Sequence, residues 1–383
     1  MEEKEAEILF KKDRIKNNSI FQLKDGKLIF YYFIGGYRII LYSQKTFQKL
    51  YELNLDELII KLEEKGKGEF DKEEDEDEET DHKINDNRNY SRNYKDKISI
   101  IELDNNLILI GYNKYLIELN YFGKYYSSKI LKKFKDIIMD IVELSDERLI
   151  IFTNDNIKEI IKNEKKFAIK KKYSFENNWK INPHPPVEGI EYRDFHSYFC
   201  SNILPNNKLL LYSFSSELYD CIGCGSHPTE EINYSKIIFL DLKKFEEIAS
   251  TETFDSLLKY VVLENIIVIQ ADKILYLYDI NSLQSIKKIW LEHKYEYFLN
   301  YNKRYLIALS EDKSNNNIEI FKIENNNLIK CYVVQKGFLF KQVYRWWDYS
   351  ITDYHYNSLI ILKDKRIIII YNNKLYILKI NLD

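Results

Sequence analysis

The feature of this sequence that most restricts its fold is a strand motif that recurs seven times. In each copy, turn-forming residues lead directly into an apolar run rich in Ile, Leu and Tyr. Each copy has an apolar stretch before it and one or two more after it, which gives about four short strands per unit of ~40 residues, the period of a β-propeller blade. The copies are residues 24–32, 104–112, 146–154, 206–214, 264–272, 302–310 and 363–371.

The last repeat is one strand short. Its strands are predicted near 356–362, 365–371 and 373–380, after which the sequence ends. An apolar strand at Ala6 to Lys12 precedes the first repeat and belongs to no other blade. If it completes the last blade, no open edge remains at the junction. We therefore predict an all-β, seven-bladed β-propeller of four-stranded blades, one domain over residues 1–383, with its ring closed by the N-terminal strand.

Four long connections are predicted to emerge on one face of the propeller. Three of them join the outer strand of one blade to the inner strand of the next, at 56–96, 174–197 and 337–355. The fourth, 215–234, joins the second and third strands of blade 4, whose strands are predicted near 198–204, 207–213, 235–241 and 245–250. Loops of this length in a compact domain are usually functional or disordered. The opposite face has only tight turns, so we predict that the loop-rich face is the working surface.

The insertion at 56–96 is strongly acidic. Its beginning, residues 55–64, has the pattern of a short amphipathic helix. Residues 69–81 then carry ten carboxylates and one Lys. Sequence of this kind has too little apolar content to offset its ordering entropy. We predict that the insertion between blades 1 and 2 is largely disordered.

The ends of three predicted third strands resemble those of the WD (Trp-Asp) repeat propellers. They read LYSQKTF at 41–47, FLDLKKF at 239–245 and LYDINSL at 277–283. The blade period and the Asp-Gly or Asn-Asn turn before the second strand are also similar. The resemblance implies a propeller fold and a general role in binding proteins. No strand ends in Trp-Asp and the Gly-His dipeptide is absent, so the repeats are degenerate and no site carries over.

An aromatic cluster marks the candidate partner-binding residues. Tyr344, Arg345, Trp346 and Trp347 lie in one of the long loops, and Trp179 lies in another that is rich in proline. Arg, Trp and Tyr are the residue types that most often dominate protein interfaces. The alternative is that the tryptophans pack beneath the loops and hold them in place.

One segment has the pattern of a metal site. Cys221, Cys224 and His227 lie in DCIGCGSHP, and two thiolates spaced in this way can occupy two corners of a tetrahedral zinc site. Cys200 or His196, predicted at the same end of blade 4, would supply a fourth ligand. The alternative is that these are ordinary loop residues. Zinc is the only cofactor that the sequence suggests.

Composition and motifs restrict the classes of function that this protein can have. No Gly-rich phosphate loop or nucleophile elbow is present, and the positive charge outside the acidic run is too small to indicate nucleic-acid binding. The N-terminus has no signal-peptide pattern and no apolar run is long enough to cross a membrane. We expect a cytoplasmic or nuclear eukaryotic protein, without membrane insertion, that acts as a non-catalytic scaffold for a protein partner within a larger assembly. The alternative is an enzyme or small-ligand binder with its site at the mouth of the central channel.

Overall fold

The structure, a computed structural model, describes most of the 383 residues. They form two compact units, Met1–Asn54 with Leu258–Asp383, and Leu55–Leu257. The described residues are 2–3, 6–13, 19–33, 36–65, 98–103, 107–122, 125–144, 148–153, 156–163, 166–174, 190–221, 230–254, 258–302, 305–310, 317–324, 327–335, 358–371 and 374–380.

The chain begins with two strands that belong to later sheets, followed by blade 1. Blade 1 contains β3 to β6 in sequential order, from the inner to the outer strand. The strands are β1 (Glu2–Glu3), β2 (Ala6–Asp13), β3 (Ser19–Gln22), β4 (Leu28–Phe33), β5 (Tyr37–Tyr42) and β6 (Lys49–Asn54).

Residues 55–257 form a helix and blades 2, 3 and 4. Each blade is a four-stranded antiparallel sheet of consecutive strands. The elements are α1 (Leu55–Lys65), β7 (Ile98–Glu102), β8 (Leu107–Tyr112), β9 (Tyr115–Phe122), β10 (Tyr125–Lys133), β11 (Ile138–Glu143), β12 (Arg148–Thr153), β13 (Asn156–Asn163), β14 (Lys166–Ser174), β15 (Ile190–Leu204), β16 (Lys208–Cys221), β17 (Glu230–Asp241) and β18 (Glu247–Ser250).

Residues 258–383 complete the fold with blades 5, 6 and 7. Blade 5 contains β19 to β22, blade 6 contains β23 to β26 with β1 added outside, and blade 7 contains β27 to β29 with β2 outside. The strands are β19 (Lys259–Val262), β20 (Ile266–Ala271), β21 (Ile274–Asp279), β22 (Ser285–Trp290), β23 (Tyr295–Asn300), β24 (Tyr305–Ser310), β25 (Asn317–Glu324), β26 (Asn327–Gln335), β27 (Ser358–Ile361), β28 (Ile367–Tyr371) and β29 (Lys374–Ile380).

The recurrent motif forms the second strand of every blade. These strands are the most deeply buried, and every residue of β8 and of β20 is buried. Branched aliphatic side chains suit this position because both faces of the strand pack against apolar neighbours. The seven sheets are the four-stranded blades of a seven-bladed β-propeller, as the sequence predicts.

The core of each unit lies between the faces of successive blades. In the unit 55–257, blades 2 and 3 share a cluster around Leu109 and Ile151, and blades 3 and 4 share one around Phe152 and Leu211. In the other unit, separate clusters join blades 5 and 6, blades 6 and 7, and blades 7 and 1. Adjacent residues of β12 illustrate the alternation, since Ile151 enters one cluster and Phe152 the other.

The N-terminal strand completes blade 7, as predicted. β2 pairs antiparallel with β29, from Ala6 opposite Ile380 to Asp13 opposite Lys374. The preceding strand, β1, pairs in parallel with β26, with Glu2 opposite Tyr332. The sequence pattern did not predict this second pairing, which gives blade 6 a fifth strand.

The turns between the third and fourth strands repeat one geometry in blades 1, 4 and 5. The residue that ends each turn, Phe47, Phe245 or Leu283, has a φ of 52°, 58° or 59°. Its amide donates to the carbonyl four residues earlier, at 2.7 to 2.8 Å. The left-handed conformation costs a bulky residue about 1 kcal/mol or more. Burial of each side chain offsets this cost.

Blade 4 departs from the predicted boundaries. The segment 215–234, predicted as a loop, is largely a continuation of β16 and β17, which pair from Lys208 with Asp241 to Tyr219 with Glu230. β15 likewise begins at Ile190, within the predicted loop 174–197. These extensions mix apolar residues with charged and polar ones, so they lack the continuous apolar run of a core strand. Backbone hydrogen bonds of the ladder hold them instead.

Candidate interaction surface

Most of the predicted partner-binding residues cannot be placed. Tyr344, Arg345, Trp346, Trp347 and Trp179 lie outside the described residues. The acidic run 69–81 is also outside them. The predictions for these segments therefore remain predictions.

The predicted zinc ligands are only partly described. Cys224 and His227 lie outside the described residues, and Cys221 is the last residue of β16. The ladder pairs Cys221 with Ile190, whereas Cys200 pairs with Tyr212, nine residues earlier on β16. At about 3.3 Å per residue, this separation is roughly 30 Å. The backbone therefore separates Cys200 from the end of the blade where Cys221 lies. Zinc at Cys221, Cys224 and His227, with His196 as the alternative fourth ligand, remains a prediction.

The helix α1 begins the acidic insertion and is anchored on blade 2. It matches the helix predicted at 55–64. The Tyr112 hydroxyl donates to Asp56 Oδ1 at 2.5 Å, and the Tyr115 hydroxyl donates to Glu63. Lys133 Nζ donates to Glu63 Oε1 at 2.8 Å, and this hydrogen bond, with that from Tyr115, lowers the pKa of the Glu63 carboxyl. The insertion therefore leaves the helix beside the turn between the second and third strands of blade 2.

The outer strand of blade 5 carries the most exposed large apolar side chain among the described residues. Trp290, the last residue of β22, is 78% exposed, and Ile286 on the same strand is 39% exposed. Only one residue of this strand, Ile289, is partly buried, and it packs on the core between blades 5 and 6. Exposed tryptophan is costly to leave in water and is enriched at binding sites.

Two lysines stand between these apolar residues. Lys287 Nζ donates to the side-chain oxygen of Asn327 at 2.5 Å, and Lys288 Nζ lies 4.8 Å from the centroid of the Tyr276 ring. Both partners are neutral. Within the described part of the chain, neither ammonium pairs with a carboxylate, so β22 carries one such positive charge on each face of the strand, with Lys288 on the same face as Trp290. We refer to Ile286, Lys287, Lys288 and Trp290 as the β22 surface.

The neighbouring blade contains a buried polar cluster. Glu319, in the middle of β25, is 1% exposed. Its carboxylate accepts a hydrogen bond from Lys330 Nζ at 2.7 Å and another from the Tyr295 hydroxyl. His293 Nε2 lies 3.3 Å from Glu319 Oε1. We refer to these four residues as the Glu319 cluster.

Blade 5 holds Tyr295 in place. Gln270, on β20, donates from its amide to the Tyr295 carbonyl at 3.2 Å and accepts from the Tyr295 backbone amide at 3.3 Å. Burial of the hydroxyl, followed by its hydrogen bond to Glu319, raises the pKa of Tyr295. The phenol therefore stays protonated, as its role as a donor to the carboxylate requires.

The Glu319 cluster has the features of a stabilising contact between strands. Its carboxylate is held by a lysine and a tyrosine, which is how buried charges are normally compensated. No described nucleophile lies within the cluster, and the cluster joins side chains of β23, β25 and β26 at the interface with blade 5. Its chemistry favours stability of that interface over catalysis.

Sequence reasoning missed both features. The sequence analysis gives Trp290 no role. Its strand, SIKKIW, contains two adjacent lysines, and this charged pair within a short strand is the signal that could have indicated an exposed outer strand. Glu319 has no local signal, since its partners lie 11 and 24 residues away in sequence.

Among the described residues, no group of three or more His, Cys, Asp or Glu side chains is arranged to hold a metal ion. The described helix is too short and too polar to cross a membrane. The side chain of one cysteine, Cys331, is described. Its thiol donates to the Ile320 carbonyl at 3.3 Å, and burial raises its pKa, so it remains a neutral thiol.

Comparison with solved structures finds β-propellers that match the chain over its whole length. The β-propeller domain of Cps50 (Swd1) from Myceliophteria thermophila has a TM-score of 0.51 at 9% identity, and the match covers 98% of this chain and 100% of that one. The C-terminal WD40 domain of Sif2 has a TM-score of 0.52 at 8% identity and is matched over 100% of both chains. No protein-family model and no curated protein sequence matches. At these identities the likeness establishes architecture: the fold of this chain is that of the WD40 β-propellers.

Proposed function

We propose that this protein is a non-catalytic interaction module that binds a protein partner through its propeller and serves as a subunit of a larger assembly. The observation that carries the proposal is the 78% exposure of Trp290 on an outer strand, beside a second exposed apolar side chain. Among the described residues Trp290 is the most exposed large apolar side chain, and an exposed apolar surface of this kind supports burial on binding.

The resemblance to WD40 propellers is consistent with this role. Propellers present rigid surfaces at low entropic cost because each blade is fixed by its neighbours. The loop segments with Trp179 and with Tyr344, Arg345, Trp346 and Trp347 are proposed as a second part of the binding surface, on the strength of their residue types. No described nucleophile lies within the Glu319 cluster, so the cluster gives no support to the alternative function as an enzyme.

The test is capture of partners by the full-length tagged protein in its native source, with chemical crosslinking and mass spectrometry. Partners recovered with the wild-type protein should be depleted by Trp346→Ala/Trp347→Ala. Loss of a central interface residue typically costs about 2 kcal/mol or more, equivalent to about 30-fold in affinity.

The matched control reverses charges in a tight turn, Lys243→Glu/Lys244→Glu, which should leave the recovered partners unchanged. Both lysines are exposed and lie between the third and fourth strands of blade 4. Recovery of no stoichiometric partner, or equal depletion by the control variant, would contradict the proposed function.

A further inference from the structure

The outer strand of blade 5 is an open sheet edge. In the sheet order β19-β20-β21-β22, the strand β22 is terminal and pairs only with β21. Every second residue of such a strand directs its backbone N–H and C=O away from the sheet. These groups can pair with an extended segment of another chain, which is a common mode of peptide recognition.

The neighbouring blade shows that an outer edge of this propeller accepts an added strand. The outer strand of blade 6, β26, pairs in parallel with β1, with Glu2 opposite Tyr332 and Glu3 opposite Val333. An outer strand of this fold therefore already accepts an added extended segment through its backbone.

Charge on the outer strands distinguishes blade 5 from blades 2, 3 and 6. In blades 2, 3 and 6, an outer-strand lysine is neutralised by a buried or nearly buried glutamate of the third strand. The pairs are Lys129 with Glu118 at 3.1 Å, Lys170 with Glu159 at 3.6 Å and Lys330 with Glu319 at 2.7 Å. The third strand of blade 5, β21, has no such glutamate. The charges of Lys287 and Lys288 therefore lack a carboxylate among the described residues.

Apolar exposure distinguishes β22 from the other lysine-rich outer strand. The strand β14 carries three exposed lysines, Lys170, Lys171 and Lys172, but no exposed large apolar side chain among its described residues. Among the outer-strand side chains that the structure describes, only those of β22 combine exposed lysines with an exposed tryptophan and an exposed isoleucine. A ligand for β22 should therefore have both carboxylates and apolar side chains.

A second copy of this chain is a poor occupant. Antiparallel self-pairing centred on this strand would place Lys287 opposite Lys288, and like charges directly opposite each other destabilise a strand pair. Lysine on an exposed edge is a common device against such self-association. The same charges favour a strand of opposite sign.

We propose that β22 is a docking edge for an extended, acidic segment of a partner protein, which adds to blade 5 as a fifth strand. Glutamates or aspartates of the segment pair with Lys287 and Lys288, and its apolar residues pack on Ile286 and Trp290. This inference rests on the proposed function as an interaction module and specifies the chemistry of one partner.

The test uses a fluorescein-labelled synthetic peptide in which two adjacent glutamates, opposite Lys287 and Lys288, are flanked by isoleucines. The peptide is titrated with the full-length protein and followed by fluorescence anisotropy. Two comparison peptides have lysine in place of each glutamate, or a proline at the central position. The acidic peptide should bind, the lysine peptide should not, and the proline should abolish binding because it removes a ladder hydrogen bond.

Variants of the β22 surface locate the site. Trp290→Ala should weaken peptide binding by about 10-fold or more, and Lys287→Glu/Lys288→Glu should abolish it. Lys288→Gln, a milder change, should weaken binding by a smaller factor. The matched control is Lys171→Glu/Lys172→Glu on β14, which should leave the affinity within about twofold. All replaced side chains are exposed, so the melting temperature of each variant should equal that of the wild type.

Hydrogen exchange identifies the mode of binding. The peptide should slow exchange of backbone amides in β22 and leave those of β14 unchanged. The proposal is overturned if the proline peptide binds equally well, if Trp290→Ala has no effect, or if charge reversal on β14 weakens binding as much as reversal on β22.

Failure of this inference is separable from failure of the proposed function. Partners from the native source that are lost with Trp346→Ala/Trp347→Ala but retained with Trp290→Ala would support the module and reject the β22 edge.

Discussion

Blades 5 and 6 follow each other in the chain and share an apolar interface, but their outer strands differ in what covers them. In blade 6, β1 covers β26, and the positive charge of Lys330 is directed inward to Glu319. In blade 5, no described strand covers β22, its lysines have neutral partners, and Trp290 is 78% exposed. In blade 6, a strand of the same chain pairs with the outer edge. Blade 5 has the same kind of edge and lacks the covering strand.

The difference shows that the strand pattern of a blade does not determine what covers its outer strand. Both blades have the same four-stranded ladder and contribute to the same core cluster around Val268 and Leu306. Glu319, on the third strand of blade 6, pairs with the outer-strand lysine Lys330. The third strand of blade 5 has no glutamate, so the outer-strand lysines of blade 5 lack such a partner. The predictions below test that contrast.

The largest effect is expected from deletion of residues 1–13, which removes both β1 and β2. Blade 7 then loses its fourth strand, and the edges of β29 and β26 are exposed together. Open edges of this kind promote aggregation. We expect aggregation, or a fall in melting temperature of at least about 5 °C measured by differential scanning calorimetry. An unchanged melting temperature would show that the N-terminal strands are not needed to close the fold.

The second effect is expected from Glu319→Gln in blade 6. Loss of the charge leaves Lys330 and Tyr295 without their ionised acceptor. We expect the free energy of unfolding to fall by about 2 kcal/mol, less than for a fully buried pair because Lys330 is partly exposed. The measurement is urea unfolding. The control, Glu324→Gln, alters an exposed glutamate of the same strand and should change the free energy of unfolding by less than about 0.5 kcal/mol. An equal fall in the free energy of unfolding for the two variants would contradict the prediction that the Glu319 cluster stabilises blade 6.

The third prediction concerns alkaline pH. Burial raises the pKa of Tyr295 above its ordinary value of 10.0. Below pH 10 the folded and unfolded phenols are both protonated, so the stabilisation is fully present. Above it the unfolded chain loses this proton first, and the free energy of unfolding should fall with rising pH by up to about 1.4 kcal/mol per pH unit.

Tyr295→Phe should remove this one contribution to the pH dependence. Other tyrosines with raised pKa values, including Tyr115 and Tyr301, remain in both proteins. The difference in slope between wild type and variant above pH 10 therefore isolates Tyr295. Parallel stability curves for the two proteins would show that its hydroxyl is not held in the Glu319 cluster in solution.

The smallest effect on stability is expected from deletion of residues 1–5, which removes β1 and leaves β2. The melting temperature should change little, since β1 pairs at only two positions. The uncovered edge of β26 should not bind the acidic peptide, because Lys330 is already paired with Glu319, so the stoichiometry measured by isothermal titration calorimetry should stay the same as for the wild type. A second equivalent of bound peptide would show that covering by β1 is the whole difference between the two outer strands.

The candidate surface was less predictable than the fold. The apolar motif at 264–272 is enough to place β20 at the centre of blade 5, because burial on both faces requires a continuous apolar run. The exposure of Trp290 cannot be predicted from such a run, because outer strands and core strands contain similar residue types. The polar extension of β16 to Cys221 was likewise missed, since its stability comes from ladder hydrogen bonds that carry no apolar pattern.

The sequence by itself determined the number of blades, the strand that completes the last one and the helix at the start of the acidic insertion. Each depends on local periodicity and on turn residues, which a single chain displays directly. Only the tertiary structure decided that β1 covers blade 6, that Glu319 neutralises Lys330 from a neighbouring strand, and that β22 remains open beside an exposed Trp290. These outcomes depend on which distant segments meet across a sheet edge, and long-range pairing leaves no periodic trace in the sequence of either partner.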